Sequence, residues 1–188
     1  MEKQKLMVGY DLCTDYSQIS YYNIEKDEPD SVELDGQAEI PTVLCRLFAG
    51  DEWLVGQQAV KAAQEGKGVP VRNFTTHIAD DPMVDVAGER MEKSGLISIF
   101  LTKTLKAIEN VSASAEIGFI TITMEDIDLA AADALKRAIA SMGMDVKLLA
   151  LENHRLSYEY YALSQRRGSF RSRQAGTPFM GLHWRKRN

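Results

Sequence analysis

The chain has 188 residues, 45% of them apolar, and carries 22 basic and 27 acidic side chains for a net charge of −5. A chain this long can close one compact domain that buries about 70% of its unfolded surface. No apolar run approaches the roughly 20 residues that span a bilayer, so no membrane span is expected.

The start, Met1-Glu-Lys-Gln-Lys5, is charged, but the apolar run after it breaks at Gly9 and Asp11. That pattern is not a signal peptide, and a cytoplasmic protein is expected. Charge is unevenly placed. Arg166, Arg167, Arg171, Arg173, Arg185, Lys186 and Arg187 fall in the last stretch with no acid among them. The remainder is strongly acidic and repels nucleic acid, whose binding depends on phosphate neutralisation. A domain over residues 1–165 and a flexible basic tail over 166–188 are expected. Cys13 and Cys45 lie far apart in strand-like stretches and read as buried free thiols in a reducing compartment.

Leu6 to Asn23 has the pattern of two β-strands around a polar turn. Leu6, Met7 and Val8 start an apolar run, Gly9 interrupts it, and Ile19, Tyr21 and Tyr22 resume on the far side. The turn, Asp11-Leu-Cys-Thr-Asp-Tyr-Ser17, concentrates small polar side chains. It can aim N–H groups and hydroxyls at a phosphate or a cation, or serve simply as a surface hairpin. Residues 25–30 read as a polar loop. Ile40 to Phe48 reads as one strand and Trp53 to Val55 as a short one, followed by a helix over Gly56 to Glu65 stopped by Gly66 and Gly68. Asn73 to Pro82 has no clear period.

Gly95 to Asn110 spaces Leu96, Ile97, Phe100, Leu101, Leu105 and Ile108 near a 3.6-residue rhythm and predicts an amphipathic helix. Ile117 to Ile122 predicts a strand covered on both faces. A helix is expected to open at Met124-Glu-Asp126 and stop at a left-handed Gly143, with a parallel strand following over Val146 to Leu151. His154 to Leu163 predicts a helix with Tyr158, Tyr161 and Leu163 turned partly inward. Glu125, Asp126 and Asp128 read as capping and solvation. His77, His154 and His183 show no metal-ligand spacing, so no histidine metal site is expected.

Gly9-Tyr-Asp11-Leu-Cys-Thr14-Asp-Tyr-Ser17 resembles the first phosphate motif of the DnaK-type heat-shock chaperones, within the actin-like and sugar-kinase ATPase superfamily. Three later segments fall in the same order as in those chaperones. They are Ile40-Pro-Thr-Val with Glu52-Trp-Leu-Val-Gly56-Gln-Gln-Ala59, then Val84-Asp-Val-Ala-Gly88 with Leu96 to Lys103, then Ile117 to Thr123 with Leu148-Leu-Ala-Leu-Glu152. The resemblance runs from about Leu6 to about Ser164. It implies an α/β, ribonuclease-H-like half of the actin-type ATPase fold, with a mixed sheet covered by helices on both faces.

The resemblance also implies ATP or ADP with Mg²⁺ as ligand. Asp11 would be the metal-side carboxylate, Thr14, Asp15 and Ser17 would line the phosphates, and Glu152 would orient the attacking water. Phosphoryl transfer is mainly positioning and charge neutralisation, which suits such a set. The sequence departs from the family pattern at several places. Cys13 replaces a glycine and Asp15 replaces a second threonine. The region of the catalytic lysine reads Val71 to His77, where Arg72 or His77 could supply a positive charge but neither aligns with that lysine. No glycine-rich second phosphate motif or adenosine-binding half follows. Only the N-terminal lobe is therefore expected here, with weak or no ATPase activity alone. A non-catalytic protein-interaction module on the same fold is the competing expectation, and self-association is expected of a lobe with uncovered apolar surface.

Overall fold

The computed structural model describes residues 4–111, 115–125 and 127–159. In chain order the first strands are β1 (Gln4–Leu12), β2 (Tyr16–Asn23), β3 (Glu28–Val32), β4 (Glu39–Pro41), β5 (Leu44–Leu47) and β6 (Trp53–Val55). Helix α1 (Gly56–Gln64), strand β7 (Gly68–Val71) and the hairpin β8 (Met83–Val86) and β9 (Glu89–Glu92) come next. Helix α2 (Lys93–Leu105) runs into a 3₁₀ turn at Lys106–Asn110. Then come β10 (Ala115–Met124), α3 (Leu129–Ser141), a 3₁₀ turn at Val146–Leu148 and β11 (Leu149–Asn153); residues 154–159 are helical.

The main sheet has the order β11-β10-β1-β2-β3, with β4 also paired to β2. β1, β10 and β11 run parallel to one another, while β2 is antiparallel to β1, β3 and β4. The fold is thus a mixed α/β one, with the antiparallel strands first and the parallel ones added later in the chain. None of the described helices is long and apolar enough to cross a membrane.

Strand alternation decides which face is covered. Leu6, Val8, Tyr10 and Leu12 of β1, joined by Ile19, Ile120 and Ile122, are all but fully buried. They meet α2 and α3, which also pack on each other. The Tyr10 hydroxyl is 2.8 Å from Thr104 Oγ1 of α2, which itself donates to the Phe100 carbonyl at 2.8 Å. Thr104 spends its proton on that carbonyl, so Tyr10 is the donor to Thr104. On the opposite face Met7, Gln18, Ser20 and Phe119 are only partly buried. Among the described residues α2 and α3 cover one face, and the helical turn over 154–159 meets the other through His154 on Asp11, so the expected cover on both faces is seen in part. The expected helix beyond residue 159, with Tyr161 and Leu163, lies outside the described residues, as does the 166–188 tail. Tyr158 is 53% exposed rather than turned inward.

The single strand expected over Ile40–Phe48 is two. β4 joins the main sheet, whereas β5 is the middle strand of a small sheet, β6-β5-β7, flanked by α1. The chain turns between them because Thr42 donates its N–H to the Asp15 carbonyl at 2.9 Å and Val43 donates to the Pro41 carbonyl at 2.8 Å. Both halves are buried, so the apolar run gives no sign of the break. Gly56 opens α1 with φ +60. A Cβ there would stand 3.1 Å from Ile40 Cγ2, so the left-handed turn and the close approach both call for glycine.

The aperiodic stretch after β7 is held by side chains. Phe74 is fully buried and sits edge-on to Phe100 with centroids 5.5 Å apart. The buried Lys93 ammonium donates to the Thr76 carbonyl at 3.0 Å. Helix α3 opens at Leu129, later than expected, because β10 continues through Met124 and Asp128 is the cap. Its carboxylate accepts the Ala131 N–H at 2.7 Å. Gly143, φ +77, ends this helix as expected, donating to the Ala140 carbonyl at 3.0 Å.

Candidate functional site at the carboxyl ends of the parallel strands

Register places three polar side chains in one row. Asp11 of β1 pairs with Thr123 of β10, and Thr123 pairs with Glu152 of β11. Paired residues of parallel strands project to the same face, here the one opposite the α2–α3 core. The row sits at the carboxyl ends of the three strands, where open α/β sheets accept ligands. Thr123 Oγ1 donates to Asp11 Oδ1 at 2.8 Å and fixes the carboxylate. Glu152 is half-buried, and its carboxylate makes no hydrogen bond among the described residues.

His154 completes the cluster. Asn153 ends β11 and accepts the Leu156 N–H on its side chain at 2.8 Å, starting the helical turn over 154–159. That cap holds His154 in the first turn, with Nε2 2.6 Å from Asp11 Oδ1 and 3.7 Å from Cys13 Sγ. One ligand atom from each of Asp11, Cys13 and His154 lies within 4.8 Å of the others. Burial works against the Asp11 charge, but the hydrogen bonds from His154 and Thr123, with the positive potential of His154, outweigh it. The carboxyl is held below its usual range. Burial, the neighbouring Asp11 charge and more distant Glu125 and Asp15 push the Cys13 thiol up to about 12.

The remaining expected residues are spread around this point. Thr14 is half-buried in the turn between β1 and β2, and Asp15 beside it is exposed, with its carbonyl engaged by Thr42. Ser17 is fully buried, and its Oγ is 2.8 Å from Thr42 Oγ1. It ties β2 to the chain after β4 and does not face the opening. Arg72 and His77 are exposed on the connection between β7 and β8. The structure thus brings together Asp11, Glu152 and Thr123, adds Cys13 and His154, and sets Ser17 aside.

His154 is the residue that sequence spacing misses. It lies 141 positions from Cys13 and 143 from Asp11, and only the parallel pairing of β1, β10 and β11 makes them neighbours. The signal available was its place directly after Glu152-Asn153 at a strand's carboxyl end. A hollow of about 560 Å³ elsewhere, between β6 and α2, is lined by Asp51, Trp53, Ser98, Ile99, Thr102 and Lys103. It is wide open and shares no residue with the row, so it does not bear on this chemistry.

Large apolar side chains are exposed around the same strand ends. Tyr16, where the turn after β1 enters β2, is 55% exposed; Leu129, at the start of α3 after β10, is 78% exposed; and Leu156 and Tyr158, after β11, are 38% and 53% exposed. Residues 28–176 match the C-terminal part of a family of unknown function, DUF5716. That match includes Thr123, Glu152 and His154 and begins after Asp11 and Cys13. No curated protein matches the sequence.

Proposed function

The chain belongs to the DUF5716 family, and for it we propose a divergent nucleotide-binding lobe, the N-terminal half of a DnaK-type, actin-like ATPase domain. The observation that carries this is the row Asp11–Thr123–Glu152 across the carboxyl ends of three parallel strands. The order β3-β2-β1-β10-β11, with β2 alone reversed against its parallel neighbours, supports a ribonuclease-H-like sheet. In this reading Asp11 faces the cation, Thr14 and the turn amides meet the phosphates, and Glu152 orients a water. Catalysis would then rest on placement and charge neutralisation. The exposed Tyr16, Leu129 and Tyr158 form an apolar rim at that edge, suited to a facing lobe or a protein partner.

Calorimetry with Mg-ATP tests the reading. Saturable heat that Asp11→Ala removes supports it, and no heat at millimolar nucleotide overturns it. A second reading is favoured by one contact, His154 on Asp11 at 2.6 Å, which occupies the carboxylate that Mg²⁺ would use. A non-catalytic interaction module built on the same sheet would keep that contact and bind no nucleotide. It predicts that Asp11→Ala leaves partner binding intact.

A further inference from the structure

We propose that Asp11, Cys13 and His154 form a binding site for a zinc-class divalent cation at the end of β1. A carboxylate oxygen, a thiolate sulfur and an imidazole nitrogen are a donor set that zinc takes readily. Magnesium prefers oxygen alone and keeps its waters. Three protein ligands leave a fourth position for water or another oxygen.

The distances fit. Metal–ligand bonds of about 2.0–2.3 Å at tetrahedral angles hold ligand atoms about 3.3–3.6 Å apart. Cys13 Sγ and His154 Nε2 already stand 3.7 Å apart. The 2.6 Å hydrogen bond between His154 and Asp11 has only to open by less than about 1 Å, a small side-chain rotation, as the cation replaces the shared proton. On coordination Cys13 gives its thiol proton to solvent, the proton shared by His154 and Asp11 also leaves to solvent, and His154 binds through the Nε2 lone pair with its remaining proton on Nδ1.

The supports for each ligand are in place. Asp11 is held by the β1–β10 ladder and by the Thr123 hydroxyl, an outer hydrogen bond of the kind that orients metal-binding carboxylates. Cys13 follows two residues later, and His154 is set by the Asn153 cap. Asp15 and Glu125 add negative charge around the thiol, which favours a cation over an anion. The inference does not depend on nucleotide binding, because none of these contacts involves a phosphate.

The test is titration of the reduced full chain with Zn²⁺ by calorimetry and with Co²⁺ by absorption. One Zn²⁺ per chain at micromolar affinity or better is expected, together with a thiolate-to-cobalt charge-transfer band. Cys13→Ser should abolish the band, and His154→Gln should weaken Zn²⁺ at least about tenfold, the scale seen when metal-site groups are lost. Cys45→Ser and His77→Gln should change neither. A band that survives Cys13→Ser, unchanged affinity in His154→Gln, or no Zn²⁺ uptake at micromolar metal would overturn the site. Should Cys13→Ser fail to fold, by circular dichroism, the partly exposed His154→Gln decides alone. Zinc failing while Mg-ATP still binds removes only the metal site; Mg-ATP failing while zinc binds removes only the nucleotide reading.

Discussion

Removing the Asp11 carboxylate tests the electrostatics of the strand-end row. In Asp11→Ala the hydrogen bonds from Thr123 at 2.8 Å and His154 at 2.6 Å disappear. Neither partner is stranded. Thr123 Oγ1 also lies 3.5 Å from the Tyr10 carbonyl, and the His154 side chain is 17% exposed, so water reaches it. The loss is therefore that of charge-assisted bonds at a partly wet site, about 1.5–2 kcal/mol, without an added penalty for orphaned buried groups. For a domain of this size that corresponds to a fall of about 3–8 °C in Tm.

The pH dependence follows from the direction of the Asp11 shift. Its folded carboxyl ionises below the usual value of 3.8. Its stabilising contribution is thus complete above that value and fades as pH falls through the folded pKa. Urea denaturation of both proteins from about pH 7 down to about pH 3 measures the difference. The gap should hold to about pH 5 and then shrink as the wild-type carboxyl takes up a proton. A gap that is absent at neutral pH, or that stays constant into acid, refutes the account of Asp11 as a charge held by His154 and Thr123.

Other substitutions probe the fold and the edge. Tyr10→Phe removes a donor whose acceptor, Thr104, keeps its bond to Phe100, and should cost about 1 kcal/mol in chemical denaturation. Thr104→Val leaves the fully buried Tyr10 hydroxyl without that acceptor and should cost more; equal costs would contradict this direction of donation. A Cβ at Gly68 would run into the Arg46 carbonyl, so Gly68→Ala must push β7 off β5 and should cost more than about 2 kcal/mol. Cys13→Gly opens the turn to a phosphate and should raise Mg-ATP affinity by calorimetry; unchanged affinity would show that the side chain is no obstacle. Light scattering should show concentration-dependent association that Leu129→Glu reduces, given the 78% exposure of Leu129. A strict monomer throughout would count against an adhesive edge.

How much the sequence revealed depended on how local each determinant was. The parallel unit from β10 through α3 to β11 was legible because apolar stripes, a strand-length β-branched run and Gly143 all act within a few residues of themselves. The opening of α3 was not. Asp128 caps it from one step outside the apolar stripe, while Met124 still belongs to the strand. The split at Thr42–Val43 was hidden because Ile40, Val43, Leu44 and Cys45 are buried on both sides of it, although in different sheets. At the site, Asp11 and Glu152 could be picked out from the segments that resemble the chaperones. Ser17 looked equivalent to Thr14 in the turn, yet β2 pairing turns it inward to Thr42. His154 was invisible because its neighbours are set by strand order, and no spacing within one segment records that order.

The proposal that the strand ends hold nucleotide phosphates is tested most directly by following the amides of the ¹⁵N-labelled chain by NMR while Mg-ATP is added. The account predicts saturable shifts centred on residues 11–16 and 152–154, lost in Asp11→Ala. Shifts centred instead on the hollow around Trp53 and Lys103, or none at millimolar nucleotide, would contradict it.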